Sequence, residues 1–209
     1  MKVMVVDDEP DIVALLLLML DDPDYEVIPA SGGNDCLEKL KHDVPDLILL
    51  DLIMPDLDGW EVLNRIRQND RLKLIPVVIL TAKQLTADVV HKKAPHITEY
   101  LVKPVTKEGL ISVIEDITSS SKKLGDFIDA AGKADVDPEM INQYVQLNQQ
   151  TSAYKRLHTS LAQIYTKKRL EKEDSARNTM KSIERVIDLK GRNLEELHTR
   201  IWGMIDASG

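Results

Sequence analysis

Five short apolar runs divide the first half of the chain, and segments with helical spacing separate them. The runs lie at residues 3–6, 25–28, 47–50, 77–80 and 100–102. Runs such as LILL and VVIL show no polar alternation, which is typical of strands covered on both faces. The pattern therefore predicts an α/β fold with a doubly wound parallel sheet of five strands.

Helical periodicity takes over after about Val105. In the predicted fifth helix, positions recur at steps of four and three as a heptad seam. The seam positions are Leu110, Ile114, Ile117, Ser121, Leu124, Ile128 and Ala131. Gly132 interrupts this pattern, and Asp137 with Pro138 supplies a cap and a first residue for another helix.

The remaining segment repeats the spacing in two stretches. The first runs from Met140 to Ile164 and the second from Met180 to Met204, where Lys190 is the polar exception. The acidic cluster at residues 171–175 leaves open whether this segment is one helix or two. We predict three regions: a domain at 1–117, an extension of the fifth helix with a linker at 118–137, and a helical effector or dimerisation region at 138–209, built as a coiled coil or a bundle.

Composition narrows the function classes. Hydrophobic residues make up 43% and charged residues 30%, as in an ordinary folded protein. The single cysteine, Cys36, excludes an internal disulfide and a cysteine-based zinc cluster. The longest uncharged stretch, residues 12–20, is too short to cross a bilayer, so we predict a cytoplasmic protein without a membrane span. The acidity belongs to the first domain, with 22 acidic and 12 basic residues against 13 and 15 in the rest.

Four predicted strands end in residues that can carry chemistry. Asp7 and Asp8 follow the first strand, Asp51 the third, Thr81 the fourth and Lys103 the fifth. The carboxyl ends of parallel strands share one rim, and ligands of doubly wound sheets bind there. We therefore expect these side chains to meet in one pocket.

Three carboxylates in one pocket repel each other, and a hard divalent cation relieves that repulsion most simply. Mg²⁺ is the predicted occupant, because it takes oxygen ligands and keeps coordination places for a phosphoryl oxygen. By the usual geometry of such sites, Asp8 and Asp51 bind the ion directly together with the backbone carbonyl of Ile53. Asp7 is expected to act through water.

Asp51 can then serve as a nucleophile toward phosphorus and become an acyl phosphate. Because charge spreads over the oxygens of the transferring group, catalysis is mostly positioning and electrostatics. Lys103 supplies a fixed positive charge and Thr81 a hydroxyl donor, and the small Ala82 leaves room for phosphate. Asp58 and Gly59 are predicted to be only the turn and cap before the third helix.

Taken together, these motifs resemble the response regulator receiver family. They are DD at 7–8, DLIMPDLDG at 51–59, TA at 81–82 and YLVKP at 100–104. The resemblance covers about residues 1–117 and implies the flavodoxin-like strand order 2-1-3-4-5. It also implies that a sensor histidine kinase or a phosphotransfer protein phosphorylates Asp51. Such a protein catalyses its own phosphorylation and dephosphorylation but is not a conventional enzyme.

The resemblance further implies a cis peptide at Lys103-Pro104. It makes Thr81 and Tyr100 the switch residues, with Thr81 drawn to the phosphate and Tyr100 turning inward behind it. The chain departs from the family in reading Ala94-Pro95 where Gly-Ala is frequent, so the turn after the fourth helix must be built differently.

Ile53 and Lys83 resemble the positions that tune hydrolysis of the acyl phosphate. An apolar Ile53 positions attacking water poorly. We therefore predict a fairly long-lived phosphoryl group.

Three outputs stay open for the helical region. The seam favours a homodimer or docking on a downstream protein partner. A phosphotransfer bundle would use His158 or His198, but the sequence shows no acid or amide companion beside either. DNA contact is not favoured, because acids at residues 171–174 follow the basic run at 167–169 and give a segment of mixed charge. No helix-turn-helix pattern is visible in the sequence.

Overall fold

A five-stranded parallel sheet organises the first part of the protein in the computed structural model, which describes residues 1–82, 97–164 and 174–208. The strand order is β2-β1-β3-β4-β5. The strands are β1 (Lys2–Val6), β2 (Glu26–Ala30), β3 (Leu47–Asp51), β4 (Val77–Thr81) and β5 (Glu99–Val102). The predicted fold class and strand order are therefore confirmed.

Burial explains why the strands lack polar alternation. Every residue of β3 and β4 is buried, and so are four of the five residues of β1. The outer strand β2 is more exposed and contains Pro29, which an edge strand tolerates because it has one free side. The apolar runs thus correspond to the centre of the sheet.

Helices connect the strands in the doubly wound manner. The described ones in this part are α1 (Pro10–Met19), α2 (Gly33–Lys39) and α3 (Gly59–Gln68). Asp58 caps α3, since its Oδ1 accepts a hydrogen bond of 2.8 Å from the Glu61 N–H. The predicted role of Asp58 as a cap is confirmed.

The pairing register brings the predicted site residues to one rim. Asp51 pairs with Leu80, and Thr81 pairs with Val102. Asp7 follows the end of β1 and donates its N–H to the carbonyl of Ala30 at the end of β2. The carboxyl ends of the strands therefore lie side by side.

The described helices that follow the sheet are α4 (Lys107–Lys133), α5 (Pro138–Ile164) and α6 (Asp174–Ser208). The helix predicted as the fifth is α4 here, because only described helices are numbered, and the predicted seam falls within it. As predicted, α5 begins at Pro138, and the Glu139 N–H donates a hydrogen bond of 2.9 Å to Oδ1 of Asp137.

Two polar pairs show how α5 and α6 are arranged. His158 meets Glu184 at 3.2 Å, and the Lys190 ammonium donates a hydrogen bond of 2.6 Å to Gln150. Gln150 precedes His158 in α5, whereas its partner Lys190 follows Glu184 in α6. The two helices therefore run antiparallel. The described part of residues 138–209 therefore contains two helices that lie side by side. Gln150 also accounts for the polar exception at Lys190.

A core forms within this helical unit. It joins the end of α4, the start of α5 and the end of α6 through Phe127, Ala131, Val136, Tyr144, Leu197 and Ile201. Some seam residues thus belong to this core or pack against it, whereas Met204 at the end of the α6 seam is 43% exposed; the packed ones are Leu124, Ala131, Leu194, Leu197 and Ile201.

The protein divides into two compact units. One contains the described residues 1–82 and 97–113, and the other contains 114–164 and 174–208. The boundaries 1–117, 118–137 and 138–209 stay a prediction. Lys83, Ala94-Pro95 and the predicted fourth helix lie outside the described residues, as does the basic run at 167–169. None of the described helices combines the length and apolar character that a membrane span requires.

Candidate functional site

Three carboxylates meet at the rim of the sheet. Asp7, Asp8 and Asp51 each offer an oxygen, and these oxygens lie within 4.8 Å of one another. Asp7 and Asp51 are 1% and 4% exposed, so water screens their charges poorly. The donor set consists of carboxylate oxygens, which are the ligands that Mg²⁺ prefers. These residues therefore fit a magnesium ion.

Hydrogen bonds fix the orientation of the two buried carboxylates. Asp7 accepts the Glu9 N–H on Oδ1 at 3.0 Å and the Lys103 ammonium on Oδ2 at 2.6 Å. Asp51 accepts the Leu52 N–H on Oδ1 at 2.8 Å, and its Oδ2 lies 3.4 Å from the same ammonium. One lysine thus bridges two of the three acids.

Burial and charge act in opposite directions on the site's ionisation. Burial raises the pKa of Asp51, and the negative charge of Asp7 raises it further, although Lys103 and the Leu52 N–H oppose this. Burial works to lower the pKa of Lys103, but its hydrogen bond to Asp7 and both negative charges outweigh burial, and the pKa is raised. Lys103 therefore stays charged.

The other predicted site residues surround this centre. Thr81 is fully buried at the end of β4, and its carbonyl accepts the Lys103 N–H at 3.1 Å. Ala82, the next residue, is exposed. Ile53 is 56% exposed in the loop after β3.

Tyr100 is buried in β5, where it pairs with Ile79 of β4. The Lys103-Pro104 peptide is cis, as the resemblance implies.

Two contacts near functional side chains were not predicted. Gly59 was expected to form only a turn, but a β-carbon at this position would lie 2.1 Å from the carbonyl oxygen of Asp51, so the site requires glycine. His158 has no acidic neighbour in the sequence, but Glu184 from α6 lies 3.2 Å from its ring in the fold. The only sequence signal for Gly59 was a glycine opening the helix that follows β3. No local signal pointed to Glu184.

A family model described as the response regulator receiver domain matches residues 3–115. The chain belongs to this family. Protein PilH of Pseudomonas aeruginosa is 31% identical over 116 residues, which are 56% of this chain and 96% of PilH. Response regulator Rre1 of Synechocystis is 25% identical over 161 residues, or 76% of this chain and 68% of Rre1.

Solved structures agree with this membership. Chemotaxis response regulator CheY4 of Vibrio cholerae superposes with a TM-score of 0.52 at 31% identity, covering 56% of this chain and 97% of CheY4. A response regulator of Chloroflexus aurantiacus gives the same TM-score at 27% identity and covers 56% and 97%. Receiver domains take part in two-component phosphorelays, interact with histidine kinases and bind Mg²⁺ at an acidic cluster. The family match ends at residue 115, so most of the helical unit lies outside it.

Proposed function

We propose that this protein is a response regulator that accepts a phosphoryl group on Asp51 and signals through its helical unit. The observation that carries the proposal is the acidic cluster of Asp7, Asp8 and Asp51, bridged by the Lys103 ammonium. Three negative charges against one positive charge leave a site that attracts a divalent cation.

Asp8, Asp51 and the carbonyl of Ile53 would hold Mg²⁺ directly, and Asp7 would act through water. Asp7 holds the Lys103 ammonium at 2.6 Å, closer than Asp51 does at 3.4 Å, which supports the indirect role of Asp7. When bound, Mg²⁺ supplies positive charge that stabilises the oxygens of the transferring group.

The chain's own residues supply the remaining chemistry. A carboxylate oxygen of Asp51 forms a bond to phosphorus while the phosphorus bond to the donor breaks. With a histidine kinase as donor, the electron pair leaves on the imidazole nitrogen, which then takes a proton. Lys103 and Thr81 offer N–H and O–H donors to the phosphoryl oxygens, and Ala82 leaves space beside them.

Thr81 and Tyr100 are the proposed switch residues. They lie on the neighbouring strands β4 and β5, so a shift of the Thr81 hydroxyl toward phosphate changes the surroundings of the adjoining strand. The exposed apolar Ile53 offers no group to orient attacking water. We therefore propose an acyl phosphate that persists beyond seconds.

The proposed output is association of the helical unit with a second copy or a downstream protein. Its core is filled internally, yet three large apolar side chains of α6 remain exposed: Leu189, Trp202 and Met204. The proposed partner upstream is a sensor histidine kinase in the cytoplasm.

Burial raises the pKa of the Cys36 thiol to about 12, which fits a structural role.

Phosphorylation by acetyl phosphate with Mg²⁺, read by intact mass, tests the acceptor. We expect one phosphoryl group on the wild type and none on Asp51→Asn. Asp56→Asn is the matched control, because Asp56 is an exposed carboxylate of the same loop and asparagine tolerates its φ of 66°. Uptake by Asp51→Asn equal to the wild type would refute the proposal.

The output needs its own measurement. Light scattering of the full chain with Mg²⁺ and beryllofluoride, against Mg²⁺ alone, shows whether the molar mass changes. A labelled His158→Ala variant separates the phosphotransfer alternative, since loss of part of the label would place phosphate on that histidine. A gel shift that survives physiological salt would favour DNA contact instead.

A further inference from the structure

The loop of residues 52–58 joins the acceptor strand β3 to α3. It carries Ile53, whose carbonyl is the proposed third ligand of the ion. The Gly59 N–H closes the loop with a hydrogen bond of 3.1 Å to the carbonyl of Leu52. The first residue of α3 therefore returns to the backbone that immediately follows Asp51.

The return is too close for any side chain at position 59. A β-carbon there would lie 2.1 Å from the carbonyl oxygen of Asp51, 2.8 Å from the Leu52 Cα and 3.0 Å from the Asp51 carbonyl carbon. These separations are shorter than van der Waals contact. These three nearest atoms all belong to the backbone, so no side-chain rotation can relieve the overlap. Only glycine allows α3 to begin here.

The peptide under this contact also orients the acceptor side chain. The carbonyl oxygen of the Asp51–Leu52 peptide is the atom nearest to a β-carbon at position 59. The N–H of the same peptide, on Leu52, donates the hydrogen bond of 2.8 Å to Oδ1 of Asp51. A peptide is planar, so its carbonyl and N–H move together. Displacing the oxygen therefore re-aims the N–H that holds the carboxylate.

We propose that Gly59 is a positioning residue for phosphoryl transfer. By lacking a side chain, it sets the Asp51–Leu52 peptide and, through it, the direction of the Asp51 carboxylate. This inference rests on the proposed function, which it extends to a residue that touches no reacting atom.

Gly33 provides a matched control. A β-carbon at position 33 would lie 2.7 Å from the Leu57 carbonyl oxygen and 2.7 Å from a methyl group of Val62. That overlap strains the far end of the loop and α3, and none of its nearest atoms belongs to the Asp51–Leu52 peptide. Gly33→Ala should therefore destabilise the protein without turning the Asp51 carboxylate.

The experiment compares the full-length wild type, Gly59→Ala and Gly33→Ala by NMR. The chemical shift of the Asp51 carboxyl carbon is compared at pH 7 in the metal-free proteins, and backbone amides are then followed during addition of MgCl₂. We expect Gly59→Ala to shift the Asp51 carboxyl signal, because the carboxylate loses the aim of its N–H donor on Leu52. We expect its Mg²⁺ binding to weaken about tenfold or more. Gly33→Ala should match the wild type in both.

Equal changes in the two variants, or no change in Gly59→Ala, would overturn the inference. A wild type that takes up neither Mg²⁺ nor phosphoryl group would instead overturn the proposed function, and the Asp51 carboxyl signal of the metal-free proteins would still test Gly59.

If Gly59→Ala does not fold, Asp58→Ala decides. It removes the cap bond to Glu61 and loosens the first residue of α3 without adding an atom. Mg²⁺ binding about tenfold weaker would support the inference, and wild-type binding would overturn it.

Discussion

The ammonium of Lys103 donates a hydrogen bond of 2.6 Å to Oδ2 of Asp7, although 96 positions separate the two residues. The same nitrogen lies 3.4 Å from Oδ2 of Asp51. One cation thus serves two buried carboxylates, while Asp8 lies beside them. The cluster retains net negative charge. This charge destabilises the metal-free protein, and it also attracts a divalent ion to the site.

Replacing Lys103 should therefore have a metal-dependent effect. Lys103→Ala leaves Asp7 buried without its cation, and we expect a loss on the order of 3 kcal/mol in the free energy of unfolding in EDTA. With saturating MgCl₂ the loss should shrink, because the ion takes over the compensation. Urea unfolding in both buffers measures the difference.

Lys73→Ala is the control, since the Lys73–Asp70 pair is exposed and should contribute little to stability. A Lys103→Ala loss that is the same with and without Mg²⁺ would contradict the prediction.

Asp51→Asn should stabilise the metal-free protein at neutral pH. Burial, with the charge of Asp7, raises the pKa of Asp51 in the folded state above 3.8. The value 3.8 applies to the unfolded state. Between 3.8 and the raised pKa of the folded state, the folded state binds more protons than the unfolded state, so stability falls as pH rises through that window. The full cost is present above the folded pKa, and removing the carboxylate removes it.

Thermal unfolding in EDTA across pH measures this effect. The advantage of Asp51→Asn should narrow as pH falls toward 3.8. In Mg²⁺ the order should reverse, because an ion at a hundredfold its dissociation constant adds about 2.7 kcal/mol to the wild type. A variant less stable than the wild type at pH 7 in EDTA would disprove the prediction.

The helical bundle should be sensitive at its core and tolerant at its surface. Ile201 is fully buried among α4 and α5 side chains, and Ile201→Ala should cost about 2–5 kcal/mol. Leu189 on the same helix is 58% exposed, and Leu189→Ala should stay within about 0.5 kcal/mol. Urea unfolding followed by helical circular dichroism compares them. A large loss for Leu189→Ala would indicate that a partner copy covers this residue.

Two mid-helix glycines should respond oppositely to Gly59. A β-carbon at Gly125 in α4 or at Gly191 in α6 meets no atom within 4 Å. Alanine costs less backbone entropy than glycine in a helix, so each change to alanine should stabilise by about 0.5–1 kcal/mol. Differential scanning calorimetry of Gly125→Ala and Gly191→Ala checks the sign. A lower melting temperature would indicate close approach of another surface there.

Much of the receiver unit was predictable because its signals are local. The apolar runs mark the buried strands, and the residue after each run identifies a position on the rim. Asp137 and Pro138 mark the start of α5 in the same way, through capping chemistry confined to one turn. The residues of the acidic cluster could therefore be named before their distances were known.

Contacts between distant segments needed the folded chain. The antiparallel pairing of α5 with α6 depends on core packing. In the sequence Lys190 is an unexplained polar residue in the seam, and only the fold places Gln150 opposite it. Gly59 reads as an ordinary turn residue because the backbone it touches is defined only when α3 returns to the end of β3. Short-range patterning thus specified which side chains reach the rim of the sheet, whereas their mutual distances and orientations arose from packing between segments far apart in the sequence.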